Sequence, residues 1–238
     1  MIAMRKEIDV CLTPELVHLS DLKDKLVVVV DIFRATSCMV SGLASGVESI
    51  TPVATVEECL SYREQGHICA GERGGKKIPE FDIGNSPFEY MDDQMRGRNI
   101  AVSTTNGTLA IKKSTDAAQI IIGSFLNLSA IADYVLSSEM DVVIHCAGWK
   151  GTFNLEDTTF AGALIDRVSD KYQFKTDASL MALSLWQLAN SDLYQFLLKS
   201  AHAERLKKFG IEEDLKFCSE LDHFNIVPIL NGKKITVS

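Results

Sequence analysis

The six cysteines of this 238-residue chain, at positions 11, 38, 59, 69, 146 and 218, include no CxxC pair. Most have apolar neighbours, so they read as buried thiols of a reducing cytoplasm, and a zinc site is not expected. The sequons at Asn106 and Asn127 then say nothing about glycosylation. The histidines, at 18, 67, 145, 202 and 223, show no metal-ligand spacing and read as structural or surface residues. Positive charge is in short supply: 24 Lys+Arg stand against 32 Asp+Glu, a net charge of −8. Neutralising nucleic-acid phosphates requires a basic face, so nucleic acid is excluded as a main partner. The longest apolar run, Leu26–Val30, and others such as Ile120–Ile122 are far too short to cross a bilayer, and no membrane partner is expected. The first residues, MIAMRKEIDV, have no extended apolar segment before a cleavage site, so no signal peptide is expected. There is no internal repeat, no low-complexity stretch and no GxGxxG. The segment Gly71-Glu72-Arg73-Gly74-Gly75-Lys76 is one residue short of GxxxxGK[ST], and Lys77 stands where a hydroxyl residue belongs, so a nucleotide P-loop is rejected.

What is present is a 46% apolar chain long enough for one large α/β domain or two small ones. No Gly/Pro/Ser-rich linker divides it, so residues 1–238 are treated as one domain. The organising stretch is Val27–Ser37, VVVVDIFRATS. Four consecutive valines predict a strand over 26–31 that is buried on both faces, as in a parallel sheet. A first strand is expected over 5–12, and further strands over 49–54, 68–70, 99–103, 118–122 and 141–146. Helices are expected over 35–45, 55–65, 106–113, 127–137 and 156–169. Thr55 with Glu58, and Ser86 with Glu89, fit capping boxes, and Asn127 suits an N-cap. The long irregular stretch 71–85 should fold back through Ile78, Phe81 and Ile83. Residues 177–220 read as mostly helical, and Pro228 with the final KKITVS reads as a closing edge strand or tail. Regular alternation of strand and helix predicts an α/β fold with a mostly parallel or mixed sheet and helices on both faces.

Chemistry-bearing residues collect where strands end: 31–37, 70–87, 103–108, 123–127 and 146–158. Parallel strands would place all five loops at one edge of the sheet, where ligands bind in open α/β folds. Asp31 ends an apolar strand and suits a divalent cation; Arg34 suits an oxyanion held bidentately, and the helix start near Thr36 suits phosphate. Without a ligand, Asp31 would cap that helix and Arg34 would pair with it. Ser103, Thr104, Thr105, Asn106 and Gly107 could form a neutral oxyanion cradle from hydroxyls and N–H groups, or simply a turn with an N-cap. Arg73 supplies charge among glycines that allow close backbone approach, whereas Lys76 and Lys77 suit a solvated pair. Glu156 and Asp157 fall in the first turn of a helix, where the macrodipole alone favours carboxylates. Carboxylates nonetheless outnumber Lys and Arg in these loops. That points to a cation held by Asp31, Glu72, Asp82, Glu156 and Asp157, and oxygen ligands favour Mg²⁺ over zinc. Cys146 reads as a buried cysteine before a catalytic thiolate, and Trp149 suits a pocket wall and a core position equally.

These segments together resemble the 2-phosphosulfolactate phosphatase family, the ComB proteins of coenzyme M biosynthesis. The resemblance is carried by VVVVDIFRATS, PVATVEE (52–58), AGERGGKKIPEFDIGNSPFEY (70–90), STTNGT (103–108), IGSFLN (122–127) and CAGWKGTFNLEDTTFAGA (146–163), and more loosely by SAHAERLKKFGIEEDLKFC (200–218). It implies a three-layer α/β/α fold and a cytoplasmic, Mg²⁺-dependent phosphatase. The substrate it implies is small, phosphorylated and sulfonated: (2R)-2-phospho-3-sulfolactate, converted to 3-sulfolactate and phosphate. A homodimer is allowed, though no sequence feature marks its interface. The catalytic residues expected are Asp31, Arg34, Glu72 and Asp157, with Asp31 as metal ligand or general base. Attack by water and attack by Asp31 both stay open; Phe33 at the second position of what would be D-x-D favours water. Two alternatives remain. One is a Mg²⁺ phosphohydrolase of another small phosphorylated carboxylic acid; the other is a non-catalytic anion-binding homologue.

Overall fold

A computed structural model describes residues 5–237; the first four residues of the N-terminal reading and Ser238 of the terminal KKITVS lie outside it. Along the chain run β1 (Lys6–Cys11), β2 (Leu26–Val30), α1 (Ala35–Ala44), β3 (Ser49–Pro52), α2 (Val56–Arg63), β4 (Ile68–Arg73), β5 (Lys76–Lys77) and α3 (Pro87–Tyr90). There follow β6 (Asn99–Ser103), α4 (Gly107–Lys113), β7 (Gln119–Gly123), α5 (Leu128–Ser137), β8 (Val142–Cys146), α6 (Leu155–Val168) and β9 (Tyr172–Gln173). The chain closes with α7 (Asp177–Ala189), α8 (Leu193–Leu197), α9 (Ala201–Lys207), α10 (Glu212–Cys218), β10 (Pro228–Asn231) and β11 (Lys234–Val237). No helix among the described residues is long and apolar enough to cross a membrane.

All these strands lie in one mixed sheet, ordered β5-β4-β6-β3-β11-β10-β7-β2-β8-β1-β9. β2 sits between β7 and β8, parallel to both, with Val27 level with Ile120 and Val143. Its five residues are wholly buried, and successive side chains serve opposite faces. Val28 and Val30 pack with Phe125, Phe160 and Leu164 on the α5–α6–α7 side. Val27 and Val29 pack with Met39 and Val40 of α1 and Ile111 of α4 on the other. These are the two helical layers of a three-layer α/β/α architecture. The 71–85 stretch folds back as expected: Ile78 and Phe81 join Val53, Cys59 and Cys69 in a smaller core. Its first part extends β4 and turns through Gly74 and Gly75, both at positive φ, into β5. Ser86 does not cap α3; its hydroxyl donates to Asp214 at 3.0 Å instead.

The C-terminal expectation is overturned. Residues 228–237 form neither an edge strand nor a tail, but a hairpin in the middle of the sheet. It pairs antiparallel with β7 through Ile229 and Ile121, and with β3 through Ile235 and Ile50. Gly232-Lys233, with Gly232 at φ +62°, makes the tight two-residue turn between the paired Asn231 and Lys234. Three antiparallel pairings in succession mean that the parallel half β4-β6-β3 runs opposite to the parallel half β7-β2-β8-β1-β9. The strand ends therefore do not share one edge. They meet because both halves wrap the same two helices: Ile50, Ile100 and Val102 from one half and Val27, Val29 and Ile122 from the other share a core with α1 and α4. Gly107, the first residue of α4, approaches β2 so closely that a Cβ would lie 2.9 Å from Asp31 Oδ2 and 2.7 Å from the Ala35 Cβ. Only glycine fits there.

If the hairpin holds the halves together, truncating its fully buried Ile235 should cost about 2–4 kcal/mol, as for other buried isoleucines. Urea unfolding of Ile235→Ala measures this. The exposed Lys234 changed to alanine should stay within about 0.5 kcal/mol. A cost below about 1 kcal/mol for Ile235→Ala would mean the hairpin is not part of the cooperative sheet.

Candidate active site

Asp31 immediately follows β2 and is 7% exposed. Thr36 shapes the loop that follows: its hydroxyl accepts from the Asp31 N–H at 2.9 Å and donates to the Asp31 carbonyl at 3.0 Å. It is fully buried, so it supports the floor of the site and does not face a ligand. The Ala35 N–H donates to Asp31 Oδ1 at 3.4 Å, and Oδ2 has no hydrogen-bond partner among the described residues. The Phe33–Arg34 peptide bond is cis. Arg34 is buried and anchored by an ion pair from Nη1 to Asp214 of α10; no other hydrogen bond from its side chain is made among the described residues.

Glu72 is held by two backbone donors from different loops, Thr105 N–H on Oε1 at 2.8 Å and Gly75 N–H on Oε2 at 2.7 Å. Such bonds fix a carboxylate and leave lone pairs for a cation. Arg73 turns away from this site. It donates to the Ser103 carbonyl at 3.0 Å and hydroxyl at 2.9 Å, tying β4 to β6. Ser103 is thereby occupied, and the Thr104 hydroxyl accepts from Thr108 N–H at 3.3 Å. Of the STTNGT segment, only Asn106 lines the cleft described below. Gly107 abuts Asp31, and the Thr105 hydroxyl is buried without a partner.

Glu156 and Asp157 start α6 and are fully buried. Asp157 accepts from the Ile32 N–H at 2.8 Å and the Gly148 N–H at 3.2 Å, joining the loops after β2 and β8. Burial, with the charges of Glu156 and Asp31, holds its carboxyl well above the usual range. Glu156 Oε1 bonds His202 Nδ1 at 2.6 Å, and its Oε2 is buried without a partner. Asp82 stands apart from all of these: it is exposed, pairs with Arg63 at 3.1 Å and accepts from the Cys69 N–H at 2.8 Å. The metal expectation at Asp82 is therefore not met by its position. Cys146 is fully buried, and burial pushes its thiol up.

A cleft of about 240 Å³ opens over Asp31, Arg34 and Glu72. Its opposite wall holds Trp149 and one face of the 200–210 segment: His202, Arg205, Lys208 and Phe209. The sequence spacing marks His202 as structural or surface; the structure puts it in the cleft, seated on buried Glu156. Arg205 and Lys208 also line the cleft, though no local motif marks them. The spacing 202, 205, 208 is the signal that could have found them, because residues three apart share a helix face. The cleft thus joins two carboxylates to a row of basic groups.

Burial is the main cause of the raised Asp31 carboxyl, up to about 6; the Glu72 and Glu156 charges add to it, and the His202 charge and the Ala35 N–H oppose it. Among the described residues, no group of three or more His, Cys, Asp or Glu is placed to enclose a metal ion. A Mg²⁺ ion needs no such cage, since one or two carboxylates with water and substrate phosphate complete its shell. Asp31, with a free Oδ2, and Glu72 fit that donor set. Glu156 and Asp157 lie behind them, committed to His202 and to backbone N–H groups.

The model of the 2-phosphosulpholactate phosphatase family matches residues 11–233. Proteins named probable 2-phosphosulfolactate phosphatase are similar throughout. That of Caldanaerobacter subterraneus subsp. tengcongensis is 39% identical over 223 residues, 92% of each chain. That of Thermotoga maritima is 38% identical over 226 residues, 94% of this chain and 96% of its own. That of Clostridium acetobutylicum is 37% identical over 227 residues, 93% of this chain and 96% of its own.

A carboxyl raised from 3.8 to about 6 in the fold binds more protons folded than unfolded between those values, so stability falls as pH rises through that window. Asp31→Asn removes the penalty. In EDTA at pH 8 the variant should be more stable than wild type, by at most about 3 kcal/mol, and the difference should vanish near pH 4. Thermal melts across pH measure this; a variant less stable than wild type at pH 8 would show that the carboxylate is stabilised in the fold.

Proposed function

The chain belongs to the 2-phosphosulpholactate phosphatase family, and on that premise we propose that it hydrolyses (2R)-2-phospho-3-sulfolactate to 3-sulfolactate and phosphate with Mg²⁺, in the cytoplasm and on a route to coenzyme M. The observation that carries the reading is the cleft itself, in which Asp31, Glu72 and Arg34 face His202, Arg205 and Lys208. A substrate with several anionic groups needs the basic wall, and carboxylates beside it need a cation between them and the phosphate. The six free, buried cysteines suit a reducing compartment.

Asp31 and Glu72 are the residues that would hold Mg²⁺. When bound, the ion supplies charge neutralisation for the phosphoryl group and orientation for water. Arg34, fixed by Asp214, presents its remaining donors to the phosphate. Phosphoryl transfer needs such positioning more than covalent chemistry. Water attack is favoured over an aspartyl-phosphate because Phe33, packed into the core, occupies the place where the acid of a nucleophile-plus-acid aspartate pair would stand. The leaving group is a secondary alkoxide, which must receive a proton. His202 lines the cleft, Glu156 orients its ring through Nδ1, and Nε2 is free to deliver that proton.

Phosphate release from 2-phosphosulfolactate should require Mg²⁺ and stop in EDTA; turnover in EDTA at the Mg²⁺ rate would remove the cation from the mechanism. His202→Asn should lower kcat on this alkyl phosphate by about 10²-fold or more, and much less on an aryl phosphate, whose phenolate leaves without a proton. Equal losses on both would mean that His202 holds the phosphate and is not the proton donor.

A further inference from the structure

We propose that Arg205, stacked on Trp149 and joined by Lys208, forms a separate subsite for the sulfonate of the substrate and so sets the enzyme's preference for sulfonated over plain phosphorylated acids. The inference rests on the phosphatase reading above.

The other arginines named above each have a protein partner. Arg34 pairs with Asp214, Arg63 with Asp82, and Arg73 with Ser103. Arg205 forms no salt bridge and no hydrogen bond among the described residues, and its Nη2 is buried without a partner although the side chain lines the cleft. A buried guanidinium donor left unpaired is costly, and a bound anion would satisfy it. The group is also held in place: its central carbon lies 4.9 Å from the centre of the Trp149 ring. Stacking fixes the guanidinium plane and leaves its rim of N–H donors free. The same indole lies 5.9 Å from the His202 ring, so the subsite and the proton donor share one wall. Lys208, three residues on and also lining the cleft, adds a second charge to the same helix face.

The covalent structure of the substrate says which group reaches Arg205. Phosphate and carboxylate sit on the same carbon, so both fall near Asp31, Glu72 and Arg34. The sulfonate is one carbon further out. It spreads a permanent charge over three weakly basic oxygens, a match for a delocalised, weakly hydrated guanidinium.

The experiment compares 2-phosphosulfolactate with 2-phospholactate, which keeps phosphate and carboxylate but lacks the sulfonate. The readout is the ratio of kcat/KM for the two in wild type, Arg205→Gln and Arg205→Lys. In Arg205→Gln the preference should fall roughly 10- to 100-fold, the range for losing a charge-assisted pair, mainly through KM for the sulfonated compound. Arg205→Lys should lose less, and it decides the matter if the glutamine variant does not melt cooperatively. A ratio within twofold of wild type in a folded variant overturns the proposal. Calorimetry with 3-sulfolactate runs in parallel. If wild type releases phosphate from neither compound, the phosphatase reading falls and binding alone judges the subsite. Binding weakened by Arg205→Gln sustains it; equal binding to both proteins, or binding to neither, overturns it.

Discussion

Four acidic side chains, Asp31, Glu72, Glu156 and Asp157, are buried around one point, and the rest of the site is arranged to make that tolerable. At an effective dielectric of ~20, two like charges ~4 Å apart repel by about 4 kcal/mol. The fold answers each one differently. Glu72 receives two backbone N–H bonds, and Asp157 two more. Glu156 is paired with His202. Asp31 is given least, a single long bond from Ala35, against which burial raises its carboxyl. The carboxylate left least satisfied by the protein is the one that fronts the cleft, which is the condition under which a cation binds it tightly. Stability is surrendered at Asp31, the usual trade at a functional position.

The residues behind the cleft explain why nearby carboxylates take different roles. Glu156 and Asp157 are neighbours in sequence but point to different tasks, one aligning an imidazole, the other fastening the loop after β2 to the loop after β8. Neither is available to a ligand in the cleft. Thr36 and Thr104 likewise spend their hydroxyls on backbone groups that fix the loops, and the Ser103 hydroxyl accepts from the Arg73 guanidinium. A site made rigid in this way keeps its few free donors, on Arg34, Asn106 and Arg205, at set positions before substrate arrives. That is how positioning lowers a phosphoryl-transfer barrier.

Much of this was legible in the sequence, for stated reasons. Valines 27–30 fixed the central strand because only a strand buried on both faces tolerates them, and Asp31 at its end marked the floor of the site. The arginines and hydroxyls were legible as types but not by orientation. Nothing local distinguishes Arg73, which turns to Ser103, from Arg34, which fronts the cleft. Asp82 looked like Asp31 in composition, yet its distance from the cleft depends on how β5 folds back. The C-terminal hairpin was missed because short strands carry little periodic signal, and its partners β3 and β7 are far away in sequence. The same long separation hid His202 and Arg205.

That separation has a structural consequence. Carboxylates come from residues 31, 72, 156 and 157, whereas His202, Arg205 and Lys208 come from α9 and the residue after it, in the same C-terminal segment that continues through α10 and returns to the sheet as β10 and β11. The hairpin lies between β3 and β7, so the two oppositely directed halves make one sheet only when the C-terminal segment is in place. One chain end thus completes both the sheet and the cleft. Until it docks, Asp31, Glu72 and Glu156 lack their basic counterparts. Once it docks, His202 joins Glu156 in a buried hydrogen bond and Asp214 joins Arg34 in a buried ion pair, each contact spanning more than 40 residues of sequence. Breaking one partner of such a pair leaves an uncompensated buried charge. The site and the fold are therefore coupled through the same contacts, and the basic wall is a structural element as well as a binding surface.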